Sequence, residues 1–192
     1  MEHERAIELL KSSGALLDGH FLLTSGKHSG RYVQCAALLS RPDLAIEFMK
    51  DIEAHYQDER VQTVVAPALG GIIVSYEIAR LLGARAMFLE REDGKMALRR
   101  GFHIEHGERV LIVEDVITTG SSVLEVYDEV ENSGGTALGF ASIVNRSEKR
   151  FDPDLPYYFC VKMDIPIYVP AGCPLCKKGV PLVKPGSRKR KP

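Results

Sequence analysis

Val110-Leu111-Ile112-Val113-Glu114-Asp115-Val116-Ile117-Thr118-Thr119-Gly120-Ser121-Ser122 is the stretch that decides the fold. Its four leading aliphatic residues read as a strand buried on both faces, the pattern of a parallel sheet covered by helices. The run stops at two adjacent carboxylates, Glu114 and Asp115, and two charges at a strand's end need a reason. A short loop of hydroxyl residues around Gly120 follows and opens a helix, for which Ser122 and Glu125 have capping-box spacing. Free N–H groups at a helix start, joined by the hydroxyls of Thr118, Thr119, Ser121 and Ser122, suit a phosphate monoester. The carboxylates suit sugar hydroxyls or a hydrated cation.

Strand and helix alternate on either side of this stretch. Val61 to Ala66, Arg85 to Leu89 and Ala137 to Val144 read as strands, and Gly71 to Leu82 and Ser122 to Ser133 as helices stopped by Gly83 and Gly134-Gly135. Such alternation predicts an α/β fold: right-handed crossovers, a central parallel sheet flanked by helices, and ligands beyond the carboxyl ends of the strands. Upstream, Glu2 to Lys11 reads as a short amphipathic helix and Ser40 to Tyr56 as a longer one. Between them, Ala15 to Thr24 with its Asp18-Gly19 turn signal and the extended Arg31 to Ala36 predict a small antiparallel unit, with Ser25 to Gly30 as a polar binding loop. Downstream, Tyr157 to Val161 and Ile165 to Val169 read as short strands. Gly186 to Pro192 is a basic tail, read as a solvated end with a nucleotide or RNA contact as the sharper alternative.

Composition narrows the function classes. The 192 residues, 45% of them hydrophobic, suit one domain with an appended element. Lys and Arg number 25 against 26 Asp and Glu, so no global field argues for nucleic acid or membrane, and any anion site must be local. No apolar run has spanning length and Met1 to Lys11 is too charged for a secretory signal, so a cytoplasmic location is expected. Four cysteines are too few for a disulfide framework. Two further segments carry chemistry. Pro67-Ala68-Leu69-Gly70-Gly71-Ile72 follows a strand and opens a helix, a second place where backbone amides can face an anion. Glu90 to Gly101, with Arg91, Lys95, Arg99 and Arg100, reads as a mobile cationic loop, the alternative being a solvated charged hairpin.

The Val110 stretch resembles, along its whole length, the 5-phosphoribosyl-1-diphosphate (PRPP) binding motif of the type I phosphoribosyltransferases. The resemblance implies that Glu114 and Asp115 lie by the ribose hydroxyls and that Thr118, Thr119, Gly120, Ser121 and Ser122 hold the 5-phosphate. It puts pyrophosphate at Ala68, Leu69, Gly70 and Gly71, with a strained Ala68-Leu69 peptide; many orotate enzymes carry a lysine where Gly70 stands. Phe21-Leu22-Leu23-Thr24-Ser25-Gly26-Lys27-His28-Ser29-Gly30-Arg31-Tyr32 resembles a segment of the orotate phosphoribosyltransferases that purine enzymes of this fold lack. On that likeness Arg91 and Lys95 take the places of the loop arginine and the catalytic lysine, with Asp115 as the third catalytic candidate. Orotate falls to Lys27, Thr118 and Arg146, and guanidinium suits an acidic pyrimidine through planar paired hydrogen bonds. Thr24 stands at a position that is lysine in many family members, and Glu92 and Ala97 replace a basic residue and a histidine of the loop. The family also implies Mg2+ held mainly by substrate oxygens, a homodimer sharing the loop across its interface, and a layout of base-binding hood (1–38), PRPP core (40–150) and C-terminal strands with tail (151–192).

Cys173-Pro174-Leu175-Cys176 lies in a tail that resembles a subgroup found in thermophiles and other prokaryotes. No protein metal ligands are assigned from the sequence. One CxxC supplies two, and a structural zinc would need two more from Cys35, Cys160 or a histidine; a reduced thiol pair in a turn is the alternative. His28 reads equally as a titratable site residue or an exposed loop histidine. A purine phosphoribosyltransferase and a PRPP-sensing regulator of the same fold are the competing functional readings.

Overall fold

The computed structural model describes residues 1–23, 25–147, 151 and 153–185. Helix α1 (His3–Ser12) precedes two antiparallel strands, β1 (Leu16–Leu22) and β2 (His28–Val33), and a short α2 (Cys35–Leu39) leads into α3 (Pro42–Tyr56). The chain then runs β3 (Thr63–Pro67), α4 (Gly70–Leu82), β4 (Arg85–Glu92), β5 (Lys95–Leu98), β6 (Arg109–Ile117), α5 (Ser121–Asn132), β7 (Thr136–Asn145) and β8 (Tyr157–Lys162). A last strand, β9 (Ile167–Tyr168), a turn of 3-10 helix at Pro170–Gly172 and a one-turn α6 (Pro174–Lys177) close the described chain. Among the described residues no helix is long and apolar enough to cross a membrane.

Six strands form the main sheet in the order β5-β4-β3-β6-β7-β8, parallel except where β5 folds back on β4. Every residue of β3 is buried, as are Val110, Leu111, Ile112 and Val113 of β6, because helices cover both faces. On one face α1, α3 and α4 meet the sheet through Leu9, Leu10, Phe48, Met49, Ile52 and Ile78. In α3 the buried positions Ala45, Phe48, Met49, Ile52 and Tyr56 recur at three- and four-residue spacing behind Pro42 in the first turn. On the other face α5 applies Val123, Val126 and Val130 to Val65, Ile112 and Phe140. Each fully buried Leu, Ile or Phe contributes about 1.5–3 kcal/mol of transfer free energy. Adjacent β3 and β6 run in register from Thr63↔Val110, so the loops that follow them emerge side by side.

Several expectations shift. Strand β6 does not end at the carboxylates: it continues to Ile117, paired through Val116↔Val144 and Ile117↔Asn145, so Glu114 and Asp115 stand on a strand and not at its end. Asp18-Gly19 is not a turn; β1 runs through it with a register shift between Asp18 and Phe21, and the reversal falls after Leu22, near Gly26 at φ 78°. Arg31 to Ala36 splits into strand and helix, and the expected binding loop shrinks, because His28, Ser29 and Gly30 belong to β2, with His28 and Ser29 also pairing with β9. The cationic segment is an ordered hairpin: Arg91↔Met96 and Glu92↔Lys95 flank Asp93-Gly94, whose φ values of 49° and 85° are those of a tight hairpin turn. Met96 anchors it in the core beside α5. Of Ile165 to Val169 only β9 is strand, and it joins β1 and β2 in a separate three-stranded sheet. Thr24 and the basic tail Gly186 to Pro192 lie outside the described residues.

Candidate active site

The two glycine loops close on the acidic pair. A Cβ at Gly70 would stand 2.7 Å from Asp115 Oδ2, and one at Gly71 would meet Ala66 Cβ at 2.6 Å and Glu114 Oε1 at 3.2 Å. Glycine is therefore required at position 71 by the fixed Cβ of Ala66 on β3, whereas a side chain at position 70 would have to push the Asp115 carboxylate aside. The Ala68–Leu69 peptide is cis, and Leu69 is exposed. Among the described residues the amides of Leu69, Gly70 and Gly71 have no acceptor, so this turn presents unpaired donors beside two carboxylates.

The second loop follows β6. Gly120 caps α5 with φ 77°, and a Cβ there would lie 2.0 Å from the Phe151 ring, which is packed over the turn. No side chain caps the helix: Ser122 and Glu125 do not form the expected box, because the helix starts at Ser121 with Gly120 as its N-cap and Ser122 lies inside the first turn, while Glu125 is engaged by Arg91. Thr119 Oγ1 lies 3.2 Å from Ser121 Oγ and accepts weakly from the Ser121 amide at 3.4 Å. Thr118, Thr119, Gly120, Ser121 and Ser122, with Glu114, line one small hollow. Gly120→Ala should cost about 1–3 kcal/mol of stability through the ring clash, with further strain from the left-handed backbone. Urea unfolding checks it; a variant as stable as the parent would contradict this geometry.

Glu114 and Asp115 have different electrostatics. Burial first, and the neighbouring Asp115 second, push the Glu114 carboxyl up to about 9. Asp115 Oδ1 accepts from the Val116 amide at 2.8 Å, while Glu114 Oε1 accepts from the Asp115 amide at 3.2 Å. Because the folded value exceeds the unfolded 4.5, the folded chain retains a proton that the unfolded chain gives up. Stability must then fall as pH rises from about 4.5 to about 9. Glu114→Gln, which keeps shape and donor, should unfold with a free energy on the order of 2 kcal/mol above the parent at pH 8, the gap closing toward pH 5. Parallel stability curves for the two proteins would refute the assignment.

Arg146 follows β7 directly, with its amide bonded to Ile117 O at 2.8 Å. Its guanidinium is largely buried, which lowers its proton affinity, while Tyr32 and Cys35 act in the opposite sense. Arg146 Nε is buried with no hydrogen-bond partner among the described residues. The side chain borders a cleft of ≈ 200 Å³ walled by Met163, Asp164, Ile165, Pro166 and Ile167. A desolvated cation with an open donor, at the mouth of a cleft, is a site for an anion. Cys35 links it to the acidic pair: the thiol is 4.0 Å from Asp115 O, and burial pushes it well up, so it stays protonated.

The structure thus gathers Gly70, Gly71, Glu114, Asp115, the 118–122 loop and Arg146 at the carboxyl ends of β3, β6 and β7. Arg91 and Lys95 lie elsewhere on the surface. Arg91 makes a paired contact with Glu125 at 2.8 and 2.9 Å and donates to Gly94 O at 2.7 Å, leaning the hairpin on α5. Arg100 is held by Glu90 at 2.8 Å and Arg99 lies 3.5 Å from Glu92, whereas Lys95 is exposed without a partner among the described residues. Lys27 is exposed in the turn between β1 and β2. His28 is buried and points away from these loops, toward His20 and Cys176. Cys35, Phe151 and Glu125 join the site without a motif that assigns them to it; only Glu125 carries a local signal, its capping-box spacing from Ser122.

Residues 35–175 match the family model of the phosphoribosyl transferase domain. Over 190 residues, 99% of this chain and 100% of the other, the sequence is 48% identical to a Caldicellulosiruptor bescii protein named orotate phosphoribosyltransferase. The chain belongs to the orotate phosphoribosyltransferase family. Among solved structures, the orotate phosphoribosyltransferase of Aeropyrum pernix is similar with a TM-score of 0.69 and 24% identity, over 81% of this chain and 92% of that one. An adenine phosphoribosyltransferase of Rhodothermus marinus reaches a TM-score of 0.68 at 20% identity, over 84% of this chain and 100% of that one. The type I phosphoribosyltransferase fold is common to enzymes of different bases, so the fold alone does not select the base.

Proposed function

We propose that the chain transfers the 5-phosphoribosyl group of PRPP to orotate, giving orotidine 5-monophosphate and pyrophosphate in pyrimidine synthesis. The observation that carries the choice of base is Arg146, a half-buried cation bordering the cleft, whose Nε has no hydrogen-bond partner among the described residues. The 118–122 loop holds the 5-phosphate, Glu114 and Asp115 meet the ribose hydroxyls, and the Ala68 to Gly71 turn takes the pyrophosphate through the unpaired amides of Leu69, Gly70 and Gly71. As the bond from the anomeric carbon to pyrophosphate lengthens, that carbon gains oxocarbenium character, and the orotate ring nitrogen bonds to it. Positioning both substrates and stabilising the departing charge account for the catalysis, with Arg91 and Lys95 brought to pyrophosphate on the hairpin of the neighbouring subunit. Lys27 and Thr118 complete the orotate side.

The donor set beside the loops, the adjacent carboxyl groups of Glu114 and Asp115 on β6, fits Mg2+ held chiefly by PRPP oxygens and water. When bound, the ion offsets pyrophosphate charge. A homodimer is supported by the exposed apolar residues Leu69, Ile73 and Tyr76, which sit on the pyrophosphate loop and the outer side of α4. Buried, unpaired thiols at Cys35 and Cys160 accord with a reducing compartment, and we place the reaction in the cytoplasm. Turnover measured with orotate, adenine, hypoxanthine and xanthine tests the reading. Product from orotate alone is expected; turnover only of a purine, or PRPP binding without pyrophosphate release from any base, would overturn it.

A further inference from the structure

Four potential metal ligands that no step of phosphoribosyl transfer uses converge far along the chain from one another. They are His20 on β1, His28 on β2, and Cys173 and Cys176 around the start of α6, and their ligand atoms all lie within 4.8 Å of one another. His20 Nε2 is 3.0 Å from His28 Nδ1, 3.4 Å from Cys173 Sγ and 3.8 Å from Cys176 Sγ, and His28 Nδ1 is 3.3 Å from Cys176 Sγ. Zinc bonds of about 2.3 Å to sulfur and about 2.0–2.1 Å to nitrogen give tetrahedral edges of about 3.3–3.8 Å. The four separations, 3.0–3.8 Å, lie close to those edges. We propose that these four side chains form a structural zinc site that clamps the C-terminal segment onto the β1–β2–β9 sheet.

Three observations beyond the spacing support it. First, the cluster is built: relative exposure is 0% for Cys173, 2% for His20 and 5% for His28, while Cys176 is exposed and provides the entry path. Second, His20 Nδ1 donates to Val180 O at 2.8 Å, which leaves the Nε2 lone pair facing the cluster; such a backbone carbonyl behind a ligating imidazole sets tautomer and ring orientation. Third, the sheet needs a staple. Neither hydrophobic core reaches residues 17–32 or 166–185, although the tail folds back to pair Val183 with Phe21. Small units without a core of their own are commonly held by metal or disulfide.

Zn2+ is the ion this donor set selects, since two thiolates and two imidazoles in a closed tetrahedron exclude the hard cations. Binding replaces two S–H bonds by two Zn–S bonds and releases two protons, so the buried centre is neutral. The clamp also fixes β9 and thereby the 163–167 wall of the Arg146 cleft.

The full chain, grown with zinc and purified reduced and without chelator, should contain about one zinc per polypeptide by plasma mass spectrometry. After removal of the metal, titration with cobalt(II) should produce tetrahedral ligand-field bands and a thiolate charge-transfer band that saturate at one equivalent. Cys176→Ser, altering the exposed ligand, should lose most of the zinc and unfold at a lower temperature than the parent, which in turn should lose thermal stability on zinc removal. Zinc below about 0.1 equivalent together with a purely octahedral cobalt spectrum would overturn the site. So would a Cys173–Cys176 disulfide in protein purified under reducing conditions. None of these readouts depends on transferase activity.

Discussion

Lys95→Ala lowers kcat by about 10²–10³ while leaving the KM for PRPP little changed, as expected for a charge that acts on the leaving pyrophosphate only in the transition state. Lys95 is free to do so: it is exposed at the start of β5 with no partner among the described residues, whereas Arg91, Arg99 and Arg100 are each occupied by a carboxylate. Near-normal turnover would show that another cation carries the role, with Arg99 and Arg100 next in line. Mixing gives a second readout. If each hairpin serves the neighbouring subunit, equal amounts of Lys95→Ala and an Arg146 variant recover about a quarter of the parent's sites through heterodimers. If the hairpin serves its own subunit, every site keeps one defect and nothing is recovered.

Arg146→Gln separates binding from folding. Loss of a paired, desolvated charge contact with orotate should lower kcat/KM for that base by about 30- to 1000-fold, equivalent to about 2–4 kcal/mol. Thermal stability should stay level or rise, because the free protein carries a buried guanidinium whose Nε lacks a partner. PRPP affinity should be retained, since the 118–122 loop and the Gly70–Gly71 turn are untouched. Equal losses of orotate turnover and stability would mean that Arg146 supports the fold and does not read the base.

What could be read from the sequence was what depends on near neighbours. The aliphatic run from Val110, the alternation around it and the glycine turns follow local rules, and β3, β6, α4 and α5 lie where those rules put them within a few residues. Elements decided by a distant partner were misread. Asp-Gly occurs in two consequential places: Asp93-Gly94 turns the chain because Arg91 and Met96 pair across it, while Asp18-Gly19 is absorbed as an irregularity in β1 because β2 pairs on both sides of it. Ser122 and Glu125 have capping spacing, yet the helix starts one residue earlier, at Ser121 behind Gly120, and Arg91 holds the glutamate from 34 residues away. The candidate site divides in the same way. Glu114, Asp115 and the hydroxyl loop announce themselves, but the contacts of Phe151 with Gly120 and of Cys35 with Asp115 exist only once the sheet is assembled. His20 and His28 could not be joined to the CxxC without knowing that the tail returns to β1.

The close approach of Gly70 to Asp115 has an evolutionary consequence. A side chain at position 70 would press on Oδ2 at 2.7 Å, and the same carboxylate is tethered through Oδ1 to the Val116 amide. Glycine and lysine at this position are therefore not interchangeable alleles of one site. A lineage that gains a cation over the leaving group must turn the Asp115 carboxylate aside to seat it. The two positions are therefore coupled through one side-chain rotation, and their substitutions should not be additive.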